Sequence, residues 1–196
     1  MRWIVVTEPT VEPLTLEEAR DHLGLTPYDS DGHPHDEMVQ GFISAARDKA
    51  EQWCGMSFAP KTIELAIDTF PDEIELVSPV LEMLSVTYVD SDEVEQTVAT
   101  NEYVVDNYSR PAWLLPAVDE SWPATSAVVN AVRVRYVSGF LPSPDTDYPA
   151  GLTLPASVKA AIKLILGALY EGRDTTEIPE AAKSLLRSYR IELGMA

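Results

Sequence analysis

The sequence predicts an α+β protein: a helical bundle core formed by the N- and C-terminal helices, with an inserted β-rich subdomain. Three observations lead there. Apolar residues recur at helical spacing before residue 58 and again after residue 155. Between them the apolar period drops to two. Prolines crowd the return to helix, at Pro142, Pro144, Pro149 and Pro155. The expected parts are 1–58 for the N-terminal helices, 59–140 for the β-rich insert, and 141–196 for the Pro-rich connection and closing helices.

The first helix begins at Thr15, where a Ser/Thr three residues before a Glu lets Thr15 and Glu18 satisfy each other's backbone donors. Leu16, Ala19 and Leu23 then keep helical spacing up to Gly24, a residue suited to a left-handed stop. A polar loop from Thr26 to His35 leads to a longer helix with Asp36 as its cap and Val39, Phe42, Ile43, Ala46, Ala50 and Trp53 on one face. Gly55 ends it. Ile63, Leu65 and Ile67 alternate with polar or small residues, as in a half-buried strand. Ile74–Leu76, a strand through Leu84, Val86 and Tyr88, Tyr103–Val105 and Ala131–Val137 follow. Pro111, Pro116 and Pro123 interrupt the middle, so the stretch around Trp113 and Trp122 is expected to be irregular or an edge, not a central strand. Past Pro155 an apolar stripe of Val158, Ala161, Ile162, Ile165 and Leu169, broadened by Leu164, Leu166 and Tyr170, marks a helix that needs cover on more than one side. Pro179 opens the last helix, with Ala182, Leu185, Leu186, Tyr189 and Leu193.

The 196 residues carry a net charge of -18, which rules out a general binder of phosphate backbones unless a basic patch is sharply segregated, and which does not suit an anionic membrane. The acid excess lies before residue 158; Lys159, Lys163, Arg173, Lys183, Arg187 and Arg190 make the tail near neutral. One cysteine cannot form an internal disulfide, and neither a signal-peptide stretch nor a membrane-spanning run is present, so the expectation is a soluble chain made in the cytoplasm.

Chemistry leaves few traces. Among the three histidines, His22 lies on the first helix, whereas His33 and His35 share a loop with Asp29, Asp31 and Asp36. That cluster is the best metal candidate, but its glycine falls at the fourth position of a calcium loop instead of the sixth and Gln40 stands where the bidentate Glu belongs, so a hydrated turn is the expected reading. Cys54 sits at a helix C-terminus, the wrong end of the dipole for an activated thiolate. Arg133 and Arg135 alternate with apolar residues and are expected to pair with acids of the insert. No phosphate-cradling loop, nucleophile elbow or paired-cysteine motif occurs. Neither catalytic residue nor cofactor is assigned.

The stretches Leu14–Leu25 (LTLEEARDHLGL), Ile43–Glu51 (ISAARDKAE) and Cys54–Met56 resemble the N-terminal helices of the tailed-bacteriophage head-to-tail connector (adaptor, head-completion) family. Leu154–Leu166 (LPASVKAAIKLIL), Leu169–Arg173 (LYEGR) and Leu185–Arg190 (LLRSYR) resemble its closing helices in order and spacing. Pro79–Val80, Ser85–Asp90, Tyr103–Asp106 and Val134–Phe140 are similar to the β insert of its longer members. The resemblance runs from about residue 12 to 192, and Gly172 departs from it where a polar residue, often Asn, is usual. It implies a non-enzymatic ring, typically dodecameric, at the head-tail interface of the virion. Such a ring sits beneath the portal protein, extends the DNA channel without specific DNA binding, and docks stopper or tail-completion proteins.

Within that reading, Arg187, Tyr189, Arg190, Ile191 and Leu193 are the portal-contact candidates, because Tyr and Arg are rich interface residues in a near-neutral tail. Val158, Ile162, Ile165, Leu169 and Tyr170 are the ring-interface candidates. An acidic channel wall would repel passing DNA. Two rivals stand beside it: an acidic DNA mimic that blocks a DNA-processing enzyme, and a metal hydrolase using His33 and His35.

Overall fold

A computed structural model describes residues 2–25, 32–141, 152–172 and 177–191. The protein is a mixed α+β chain of two units: Met1–Thr10 with Pro60–Phe140, and Val11–Ala59 with Leu141–Ala196.

The first unit holds strands β1 (Arg2–Thr7), β2 (Lys61–Ile67), β3 (Ile74–Leu76), β4 (Val80–Val89), β5 (Glu95–Thr97), β6 (Tyr103–Asp106), β7 (Ala112–Pro116) and β8 (Val132–Ser138). They form a five-stranded sheet ordered β1-β2-β8-β4-β5 and a three-stranded sheet ordered β3-β7-β6. Every pairing is antiparallel. The period-two pattern explains the core: Val132, Val134 and Tyr136 point inward while Arg133 and Arg135 face solvent. Ile63, Leu65, Ile74, Leu76, Val86 and Leu114 complete that core. On the outer face Arg135 Nε donates to Glu64 at 3.0 Å, the acid-base pair expected of the insert.

Two expectations change here. The first residues are not helical: Arg2–Thr7 forms β1 and pairs with β2, so this segment sits with the β strands and not with the N-terminal helices. Trp113 lies in β7, the central strand of the smaller sheet, opposite Glu75 on one side and Asp106 on the other. Its prolines do no harm because Pro111 precedes the strand and Pro116 is its last residue, where a missing N–H costs little. Trp122 is irregular, as expected, and stacks on Phe70 at 4.7 Å.

Tyr136 is buried and its hydroxyl accepts the Val77 N–H at 2.9 Å. Burial pushes its phenol pKa up. Tyr136→Phe keeps the ring but strands that N–H, so a loss of about 1–3 kcal/mol is expected in urea unfolding followed by tryptophan fluorescence. A loss below ~0.5 kcal/mol would show that water reaches the N–H instead.

The second unit holds α1 (Leu16–Leu23), α2 (Asp36–Cys54), α3 (Ala156–Tyr170), α4 (Glu180–Leu186) and a 3-10 turn, Arg187–Tyr189. The capping box at α1 is formed: Glu18 N–H donates to Thr15 Oγ1 and Thr15 N–H to Glu18 Oε2, each at 3.1 Å. Gly24 and Gly55 close α1 and α2 at φ 69°, left-handed backbone that glycine adopts without strain. Gly172, the departure from the family pattern, has φ 65°, a conformation that Asn also tolerates. The cap of α2 is His35; Asp36 is its first helical residue. The buried core joins Val39, Ile43, Ala46, Ala50 and Cys54 of α2 to Val158, Ala161, Ile162, Ile165 and Leu166 of α3, with Ala182 and Leu186 of α4.

Charged residues also lie inside this unit. Arg47 and Glu51, one turn apart on α2, are both buried, and Arg47 reaches Glu12 at 2.8 Å and Glu51 at 3.3 Å. Glu51 also accepts the Phe58 N–H at 2.6 Å and the Ala59 N–H at 3.3 Å, which fastens the chain after α2.

Candidate docking surfaces

The closing segment is held by its own unit as far as the described residues reach. Tyr189 Oη lies 3.1 Å from Ser157 Oγ at the start of α3. The Arg190 guanidinium sits over the Trp53 ring at 5.1 Å, and Ile191 N–H donates to the Cys54 carbonyl at 2.8 Å. Tyr189, Arg190 and Ile191 are therefore engaged in folding α4 back onto α2 and α3. Arg187 points to solvent from the 3-10 turn, and Leu193 lies outside the described residues.

The ring-interface candidates divide in the same way. Val158, Ile162 and Ile165 are 0%, 0% and 1% exposed inside the helical unit, so they offer no surface to a second copy. Their cover comes from α2, α1 and α4 of the same chain. Leu169 and Tyr170 remain half-exposed, and Tyr170 Oη lies 2.7 Å from His35 Nδ1. His22, Leu23, Leu164, Gly167, Tyr170 and Pro179 are among the residues that line a groove.

The described residues of the metal candidate each have other partners. His33 and His35 pack edge to face at 5.0 Å, and His35 is turned toward Tyr170. Asp36 is taken by Arg20, whose Nε donates at 2.6 Å, and by the His33 N–H at 2.9 Å. Those bonds hold the Asp36 carboxyl below its ordinary pKa. Asp29 and Asp31 lie outside the described residues. Among the described residues no three His, Cys, Asp or Glu side chains converge as a metal-binding group. Cys54 is buried, and burial pushes its thiol up to about 12, which removes thiolate chemistry near neutral pH.

Among the described residues no helix is long and apolar enough to cross a membrane. Exposed large apolar side chains of the β unit are Trp3, Ile4 and Val6 on β1, Leu84 on β4 and Val104 on β6, with Val94, Tyr108, Val118, Val128 and Val129 outside the strands. Of the tail cations, Lys159 pairs with Glu18 at 2.6 Å and Lys183 with Glu180 at 2.7 Å.

No family model matches this chain, and no curated protein matches it. Solved structures do. A chain of the neck of an empty GTA particle, computed with C6 symmetry, superposes with a TM-score of 0.76 at 21% identity, covering 97% of this chain and 95% of that one. A chain of the virion of a native gene transfer agent (GTA) particle gives 0.74 at 21% identity with the same coverage. A chain of the native GTA neck, computed with C12 symmetry, gives 0.66 at 20% identity, again with that coverage. The likeness is one of fold. It takes in both the strands and the helices of this chain, since little of either partner is left unmatched.

Proposed function

We propose that this chain is a structural head-to-tail adaptor of a phage or phage-like particle. It forms a ring beneath the portal, extends the DNA channel, docks stopper or tail-completion proteins, and turns over no substrate. The observation that carries the reading is the fold likeness over 97% of the chain to chains of particle necks. The order of sequence motifs points to the same class of protein, and C6 and C12 symmetry of those necks agrees with rotational rings. A net charge of -18 suits a wall past which DNA slides without being gripped.

A rotational ring needs two unlike surfaces on each copy. With Val158, Ile162 and Ile165 committed to the core, the half-exposed residues Leu164, Leu169 and Tyr170 are the part of α3 left for lateral contact. For the portal, Arg187 takes the leading place, because Tyr189, Arg190 and Ile191 are already engaged within the chain.

The test is co-sedimentation of the purified chain with portal-containing, DNA-filled heads. Cutting the chain after Ser184 would remove the buried Leu186, so a surface substitution is the cleaner probe. The wild type is expected to sediment with heads, and Arg187→Glu to bind at least ~10-fold more weakly, as at an interface hot spot. Equal binding by the variant removes Arg187 from the contact. A wild type that stays in the supernatant removes the adaptor reading.

A further inference from the structure

The two edges of the five-stranded sheet are built differently. β5 is three residues long, polar and exposed, and follows the acidic turn Asp90, Asp92 and Glu93, a combination that discourages strand pairing. β1 is six residues long and, among the described residues, pairs only with β2, so no described strand lies beyond its outward backbone N–H and C=O groups. Trp3, Ile4 and Val6 are 51%, 61% and 43% exposed, and successive residues of a strand face opposite sides, so both flanks of this edge are open and apolar. No charge or proline lies between Trp3 and Thr7. The one shift of register falls between Val5 and Thr7 and leaves Arg2–Val5 regular.

From these features we infer that β1 is a seam for strand addition, pairing with a second copy of this chain when copies stand side by side in the ring proposed above, a reading on which this inference rests. Charge selects the occupant. Copies that each carry -18 repel over most of their surfaces, and the uncharged stretch from Trp3 to Thr7 lets like chains meet without opposing carboxylates. Area sets when the seam closes. Three partly exposed apolar side chains offer on the order of 300 Å², short of the ~800 Å² that each partner of a stable complex buries. A free dimer is therefore not held by β1 alone; the seam closes at the high effective concentration of neighbours in a ring. A rotational ring requires a different receiving edge. β6, an outer strand of the smaller sheet, supplies one: it spans four residues, like the regular part of β1, with Val104 exposed, whereas β3 and β5 span three.

The experiment places the photo-crosslinker p-benzoylphenylalanine at position 4 of the full chain. One arm uses the purified chain near ~1 mM, the effective concentration a tethered neighbour provides; the other uses particles containing the chain. The expected result in both arms is a ladder of cross-linked copies whose joined peptide carries β6 residues. Val6→Lys should cut the yield at least ~10-fold while leaving the thermal melt unchanged, because the side chain is at the surface. Links from β1 to β1, links in particles to any other protein, or no links in either arm overturn the seam. A chain absent from particles that still forms the ladder in the first arm would sink the neck reading and keep the strand pairing. A chain that sediments with heads but is never linked at position 4 would do the reverse.

Discussion

Glu51→Ala is expected to destabilise the helical unit by about 3–5 kcal/mol, the loss typical of breaking a buried ion pair by removing one partner. Three groups depend on this carboxylate. The Phe58 and Ala59 N–H groups lose their acceptor, and each buried donor left unpaired costs about 1–3 kcal/mol. Arg47, fully buried on the previous turn, loses one of its anions and keeps Glu12 and Asp48. Burial favours neutral Arg47, yet its bonds to Glu12 and the nearby Glu51 charge hold its pKa above the ordinary value, so it stays charged and must stay paired. Glu51→Gln separates the two roles: its amide oxygen can still accept the N–H groups, so its loss should be clearly smaller. Glu12→Ala, at the more exposed end of the network, should also cost less. Urea unfolding read at Trp53, the one tryptophan of the helical unit, measures all three. A Glu51→Ala loss under ~1 kcal/mol would mean that water enters to replace the carboxylate.

This network also marks where sequence reasoning reached its limit. The apolar face of α2 was legible because Val39, Ile43, Ala46 and Ala50 keep helical spacing, and they are buried. Arg47 and Glu51 lie inside with them, but charged residues are read as exposed unless their partners are known. Their i,i+4 spacing was the available signal. Capping signals fixed α1 because Thr15, Glu18 and Gly24 act through local bonds. The strands at Ile63–Ile67 and Ala131–Val137 were legible because a half-buried strand alternates. β1 does not alternate: Trp3-Ile4-Val5-Val6 is a continuous apolar run whose partner, β2, comes more than fifty residues later, so neither period nor a turn announced it. β7 was obscured by Pro111 and Pro116, which bound the strand instead of breaking it. Of the candidate surfaces, an exposed Arg187 was readable from its position. That Arg190 would turn back onto Trp53 depends on how α4 packs, which local patterns do not encode.

Ile162→Ala decides the other question that sequence left open, namely what covers the broadly apolar α3. A helix with this composition can be buried by its own chain or by a neighbour, and the two cases predict opposite behaviour in the isolated protein. Ile162 is fully buried among the helices of its own unit, so removing its side chain beyond Cβ should cost about 2–5 kcal/mol in the free chain, through lost transfer energy and the cavity left behind. Leu164, half-exposed on the groove, should cost no more than about 1 kcal/mol as Leu164→Ala. Assembly into the proposed ring should rank them the other way. At a temperature where both variants remain folded, Ile162→Ala should enter assemblies as the wild type does, whereas Leu164→Glu, which puts a charge into a lateral contact of already acidic copies, should be excluded. Denaturation of the isolated chains, read beside sedimentation with heads, gives both rankings. An Ile162→Ala variant with wild-type stability and failed assembly would return that residue to the subunit interface and show that the helical unit opens when the ring forms.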